Sequence, residues 1–194
     1  MLDRSTHHRV YAAVAGTIRR AERASPDESR NEATRQWRAA TPASQDHRYL
    51  ELHRLPVHGL RQSEARLLAP IFDGAGLCAV QRTGRSGERA IIGDLSRAGA
   101  YIPIGSATGT DAPIVVCTSW EEGAALHEAS DMPVWCSLTD DNVPHVLRAV
   151  RARFPDRRLL VCAGGAQEAS PALIKTSVAT RAGWTHPAMP QAPR

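Results

Sequence analysis

The chain has 194 residues, 42% of them hydrophobic and 23% charged, with a formal net charge of +4. That balance excludes a disordered polyampholyte and fits a globular core, with room for a small second lobe. Mild basicity permits contact with nucleic acid without demanding it. Aromatic residues make up only 5%, so the core must come from Ala, Val, Leu and Ile. Lys175 is the one lysine, and the remaining positive charge is arginine.

No apolar run approaches the ~20 residues needed to cross a bilayer, and Val10–Ile18 runs straight into Arg19 and Arg20 rather than a secretory signal. A cytoplasmic location with no membrane partner is the expectation. Cys78, Cys117, Cys136 and Cys162 sit in apolar, strand-like contexts without CxxC spacing. Buried free thiols fit that pattern better than a zinc site or disulfides, and no metal ligand set stands out.

In chain order, residues 1–48 read as an N-terminal helical region. Val10, Ala13, Val14 and Ile18 mark one apolar face, and Ala33, Trp37 and Ala40 another. Ser25-Pro26-Asp27-Glu28 is a helix start, with Ser25 as N-cap and Pro26 in the first turn. Thr41-Pro42 closes the region, and Tyr49–Leu52 adds a helical turn.

Residues 49–110 read as a β-rich subdomain. Arg66–Phe72 and Leu77–Arg82 flank Asp73-Gly74-Ala75-Gly76, a hairpin signature. Arg89–Ile92 and Tyr101–Ile104 read as a second pair. Ser106–Pro113 reads as an exposed loop.

Residues 111–184 alternate regularly. Ile114–Cys117, Val134–Leu138 and Arg158–Cys162 read as strands; Glu121–Ala129, Val143–Phe154 and Pro171–Ala182 read as helices. Uniformly apolar strands between helices predict a parallel sheet flanked by helices in an α/β fold. The proline-rich tail 185–194 reads as disordered.

In such a sheet ligands bind beyond the carboxyl ends of the strands, at Thr118–Glu122, Thr139–Asn142 and Ala163–Ser170. Glu121 and Glu122 open a helix and complement its dipole. Asp140 and Asp141 read as helix caps. Gly164-Gly165 matches neither GxGxxG nor a P-loop. The histidines, His127 and His145 among them, lack metal-site spacing and read as structural.

Several runs resemble the Toprim-type DNA primases of plasmids, phages and mobile elements. Ala33 through Pro42 and His47 through Leu50 are similar to the helical segment before their catalytic module, and Pro56–Arg61 to the element after it. Leu67 through Gln81-Arg82 resembles the family's hairpin, and Tyr101–Gly105 the strand that follows. Val115–Cys117 with Gly123–Ala129 resembles the first Toprim strand and helix, and Phe154–Cys162 the last strand.

The resemblance implies a Toprim-like domain and a magnesium site. In the family a glutamate ends the first strand and an Asp-x-Asp pair ends a later one, because phosphoryl transfer needs a divalent cation held by carboxylates. Here those positions are Thr118, Gly164 and Ala166. The expectation is therefore a degenerate, non-catalytic member with no cofactor. It would bind nucleic acid, single-stranded DNA above all, or a replication or conjugation protein. Arg61, Arg82, Arg85, Arg89 and Arg97 are the candidate nucleic-acid contacts. Two alternatives stand beside it. One is an active Mg2+-dependent nucleotidyltransferase or nuclease in which Glu121, Glu122, Glu168 or Asp140 substitutes. The other is a protein-interaction modulator of a competing element.

Overall fold

The computed structural model describes residues 25–162. The expected third helix, the proline-rich tail and the Gly164 and Ala166 positions lie outside these residues.

Local chemistry sets the first helix, α1 (Pro26–Ala39). The Ser25 hydroxyl accepts the Glu28 N–H at 3.2 Å while Glu28 Oε2 accepts the Ser25 N–H at 2.8 Å, a capping box with Pro26 in the first turn. A two-residue strand β1 (Thr41–Pro42) and a short helix α2 (Arg48–His53) follow. The buried His47 ring caps α2 through Nδ1, which accepts the Tyr49 N–H, and its Nε2 meets the Ala65 carbonyl at 3.1 Å.

Four further strands complete an antiparallel sheet: β2 (Arg61–Ser63), β3 (Arg66–Asp73), β4 (Gly76–Thr83) and β5 (Arg89–Gly93). Their order is β1-β2-β3-β4-β5, and the β3–β4 hairpin is the one read from sequence, with Asp73 added to β3 and Gly76 and Thr83 added to β4. Alternation along β3 gives the sheet two apolar faces. Leu68, with Val80, meets Ala33, Ala40 and Trp37 on the α1 side. Leu67, Ala69 and Ile71 face the opposite way, into the main core.

The second sheet contains β6 (Ile102–Ile104), β7 (Ile114–Cys117), β8 (Val134–Cys136) and β9 (Leu159–Val161), in the order β6-β8-β7-β9. Helix α3 (Trp120–Ser130) joins β7 to β8, and α4 (Val143–Arg153) joins β8 to β9. Strands β7, β8 and β9 are parallel, as two helical crossovers require. Strand β6 pairs β8 antiparallel, so the sheet is mixed rather than parallel. The link 105–113 between β6 and β7 carries no helix and is shorter than the dozen or so residues a parallel crossover needs.

The expected second hairpin also dissolves. Strand β5 pairs β4, and β6 pairs β8. Gly93, at φ +128°, lies against Ala79 with no room for a Cβ, and the Asp94 N–H bonds Cys78 O, so the chain leaves the first sheet there. Ile102 and Ile104 then fill the core of the second sheet at 1% exposure. One backbone bridge joins the two sheets, Phe72 near the end of β3 with Tyr101 just before β6, whose N–H and carbonyl groups exchange bonds of 2.8 and 2.9 Å.

The second sheet is covered on both faces. Val115, Cys117, Val134 and Cys136 pack with α3 and the inner face of the first sheet. Ile114, Val116 and Trp135 pack with Val146 and Val150 of α4. Each fully buried Val or Ile contributes about 1.5–3 kcal/mol. The fold is thus a mixed α/β arrangement of one antiparallel and one mixed sheet.

Candidate functional site

Three regions gather the chemistry-bearing side chains. The first is the carboxyl end of β7, where Thr118 stands. Ser119 caps α3 by accepting the Glu122 N–H at 3.2 Å. Glu122 reaches back, and its Oε2 accepts from the Thr118 N–H at 3.3 Å and from the Thr118 hydroxyl at 3.4 Å. Glu121 points elsewhere: its Oε1 receives Arg89 Nη2 at 2.8 Å and the Tyr49 hydroxyl at 3.0 Å. Burial raises the Tyr49 phenol above its ordinary range, and Glu121 adds to this against the pull of Arg89. Glu121 Oε2 and the Trp120 indole N–H are buried without a partner among the described residues, and both residues line a void of about 10 Å3, the size of one water, with Gln81 and Thr83.

Asp140 and Asp141 do not cap a helix. They form an exposed 3-10 turn, Asp140–Asn142. Pro144, near the start of α4, has no N–H to cap, and Asn142 turns inward instead. Its Oδ1 accepts the Gly99 N–H at 2.8 Å, and its Nδ2 donates to Ala100 O and Ser137 O at 2.7 and 2.8 Å. Among the described residues no three His, Cys, Asp or Glu side chains converge as a metal ion would require.

Beneath this end lie the thiols. Cys117 and Cys136 are opposite each other on β7 and β8, with sulfurs 3.7 Å apart and no exposure. The partner thiol and burial drive Cys117 far above the ordinary thiol range, so Cys117 stays a neutral thiol. Gly123 admits α3 against them: a Cβ there would stand 2.5 Å from Cys136 Sγ. His127 is structural, its Nδ1 2.7 Å from Met132 O.

The second region is the outer face of the antiparallel sheet, the face that α1 partly covers. Arg61, Leu68 and Arg82 lie directly opposite one another on β2, β3 and β4, so their side chains share the α1 face. Arg66, two residues before Leu68, joins them. Arg61 donates to Trp37 O at 2.7 Å and lies 4.6 Å over the Trp37 ring. Burial and the charge of Arg66 pull Arg82 below the ordinary arginine range, with Glu64 acting the other way. Among the described residues none of these three arginines forms an ion pair. The other sequence candidates lie elsewhere. Arg85 is exposed in the β4–β5 turn, and Arg89 is paired to Glu121. Arg97 follows β5, and its charge acts on Asp73 at the far end of β3. Arg66 was missed because a single arginine opening a strand carries no signal until the register aligns it.

The third region is a cleft of about 240 Å3 where the two sheets join. The whole chain has two phenylalanines, three tyrosines and four tryptophans. Phe72, Phe154, Tyr101 and Trp135 all line this cleft. Tyr101 and Trp135 stack with centroids 3.7 Å apart and planes within 1°. Phe154 meets Trp135 edge-on, and Phe72 tilts against Tyr101. Arg153 and Arg157 hold their guanidinium carbons 5.6 and 5.4 Å from the Phe154 ring. Arg157 also donates to Ala107 O and Ala112 O, which fixes the loop that walls the cleft. Burial raises the Tyr101 phenol, and Arg153 partly offsets this. The sequence sets these four aromatics in separate strand and helix runs and gives no hint of their convergence.

Comparison with protein-family models, curated proteins and solved structures returns no match to this chain.

Proposed function

We propose that the chain is a degenerate Toprim primase-like protein that binds single-stranded nucleic acid on the outer face of its antiparallel sheet without turning it over. The observation that carries the binding is the row Arg61–Leu68–Arg82 with Arg66 beside it. Three guanidinium groups on one face lack carboxylate partners among the described residues, and Trp37 lies beneath one of them. Uncompensated arginines next to an aromatic ring suit a phosphate backbone with a base stacked nearby.

The Toprim-like part of the reading draws support from the parallel β7–α3–β8–α4–β9 sequence, with Thr118 at the end of its first strand. The non-catalytic part draws support from the engagement of the nearby acids. Glu122 is held by Thr118, and Glu121 by Arg89 and Tyr49. A site for Mg2+ needs carboxylate oxygens free to turn toward the ion.

Fluorescence anisotropy with a labelled oligothymidylate at low salt, alongside primer extension with Mg2+, tests both parts. The expected result is salt-sensitive binding and no nucleotide incorporation. An absence of binding at low salt removes the first part, and primer extension removes the second.

One observation favours the metal-dependent alternative: Glu122 brings a carboxylate within 3.3 Å of the Thr118 position. Calorimetric titration with Mn2+ separates the two. The proposed reading expects equal heats from the wild type and Glu122→Gln, and a loss of heat in the variant favours catalysis.

A further inference from the structure

The cleft between the sheets has a chemistry of its own, separate from the outer arginine face. Its walls are aromatic, its charged lining residue is Arg153, and Arg157 stands behind Phe154. Among the described residues no carboxylate lines it and neither arginine forms an ion pair. Phe72 and Phe154 are only partly buried, so aromatic surface is open to a ligand. Thr108 also lines the cleft, its hydroxyl 2.9 Å from that of Ser106.

Size narrows the occupant. Drug-sized sites span about 300–1,000 Å3, so a cleft of about 240 Å3 takes one ring system with its substituents at the mouth. Charge narrows it further: guanidinium without carboxylate favours an anion and disfavours a cation. Flat aromatic walls favour a planar ring, which stacks on them regardless of its substituents.

We propose that this cleft binds a planar heteroaromatic ring carrying an anionic group, the chemistry of a nucleoside phosphate, with the ring against the aromatic walls and the anion at Arg153. The ring belongs either to a free nucleotide or to one unit of a strand. The inference does not depend on the outer-face reading.

Calorimetry on the full chain tests it, with adenosine monophosphate and a short oligothymidylate as probes. Two variants of exposed residues report on the cleft: Arg153→Glu reverses the charge, and Thr108→Trp fills the space. Each should weaken binding at least about tenfold, as removal of a charge-assisted contact does. Binding of the monophosphate that both variants weaken establishes a free nucleotide as occupant. Failure of the monophosphate, with oligothymidylate binding that both variants weaken, establishes a strand. If neither probe binds, or if either variant leaves the binding unchanged, the proposal is overturned. Failure of the outer-face reading shows differently: Arg66→Ala with Arg82→Ala would then keep full oligothymidylate affinity.

Discussion

The antiparallel sheet and the mixed sheet bury similar aliphatic cores but treat polar groups in opposite ways. On the antiparallel sheet, charge is displayed. Arg61, Arg66 and Arg82 share an outer face, and the hairpin end is tied to α1 by Arg30, which binds both Asp73 and Asp94. On the mixed sheet, charge is consumed. Glu122 closes on Thr118, Glu121 is drawn across to Arg89, and Asn142 satisfies three backbone groups at once. At the carboxyl end of β7 the acids are engaged internally, whereas Asp140 and Asp141 after β8 stay exposed. On the antiparallel sheet Arg61, Arg66 and Arg82 have no carboxylate partner among the described residues, which is what the proposed reading uses. Four substitutions break or sharpen this contrast.

The largest effect belongs to Asn142→Ala. It strands the Gly99 N–H and the carbonyls of Ala100 and Ser137, in a region where all three residues are buried. A loss of about 3 kcal/mol is expected, read as a lower urea midpoint at unchanged slope. Gly123→Ala follows, at about 2 kcal/mol, because the added methyl meets Cys136 Sγ under α3. The double variant Gly123→Ala, Cys136→Ala should recover part of that loss by removing the sulfur.

Asp73→Asn tests the displayed side, at about 1–2 kcal/mol near neutral pH. Burial alone would raise the Asp73 carboxyl, but Arg30, the Ala75 N–H and Arg97 together hold it below its ordinary value near 3.8. A carboxyl depressed in the folded state stabilises fully above its unfolded value. That contribution disappears as pH falls through the lower folded value. Wild type should therefore lose stability in strong acid, and Asp73→Asn should show a flatter acid limb in urea titrations at successive pH values. Glu122→Gln is the smallest, at less than about 1 kcal/mol, since a neutral amide oxygen still accepts from Thr118.

The sequence made some of this legible for physical reasons. Ser25-Pro26-Asp27-Glu28 and the Asp73–Gly76 turn carry local instructions, and both elements formed as read. The parallel strands β7 to β9 were legible because apolar runs alternated with helical patterns. Partners set by distant residues were not legible. Strand β6 goes to β8 rather than β5, because Ile102 and Ile104 gain a core that no local pattern specifies. Arg61 and Arg82 were named as nucleic-acid contacts, but only the register shows them opposite each other across Leu68. The same register sends Arg89, on the Thr83 row, toward Glu121. The aromatic cleft depends on residues from 72 to 154 and leaves no trace at any one position.

The central claim is single-strand binding through the outer arginine face. The most direct measurement is the slope of log affinity for oligothymidylate against log salt, in the wild type and in Arg66→Ala with Arg82→Ala. Each phosphate contact on a single strand contributes roughly −0.7 to that slope. The account predicts a negative slope in the wild type, shallower by about 1.4 in the double variant. Equal slopes for the two proteins would contradict it.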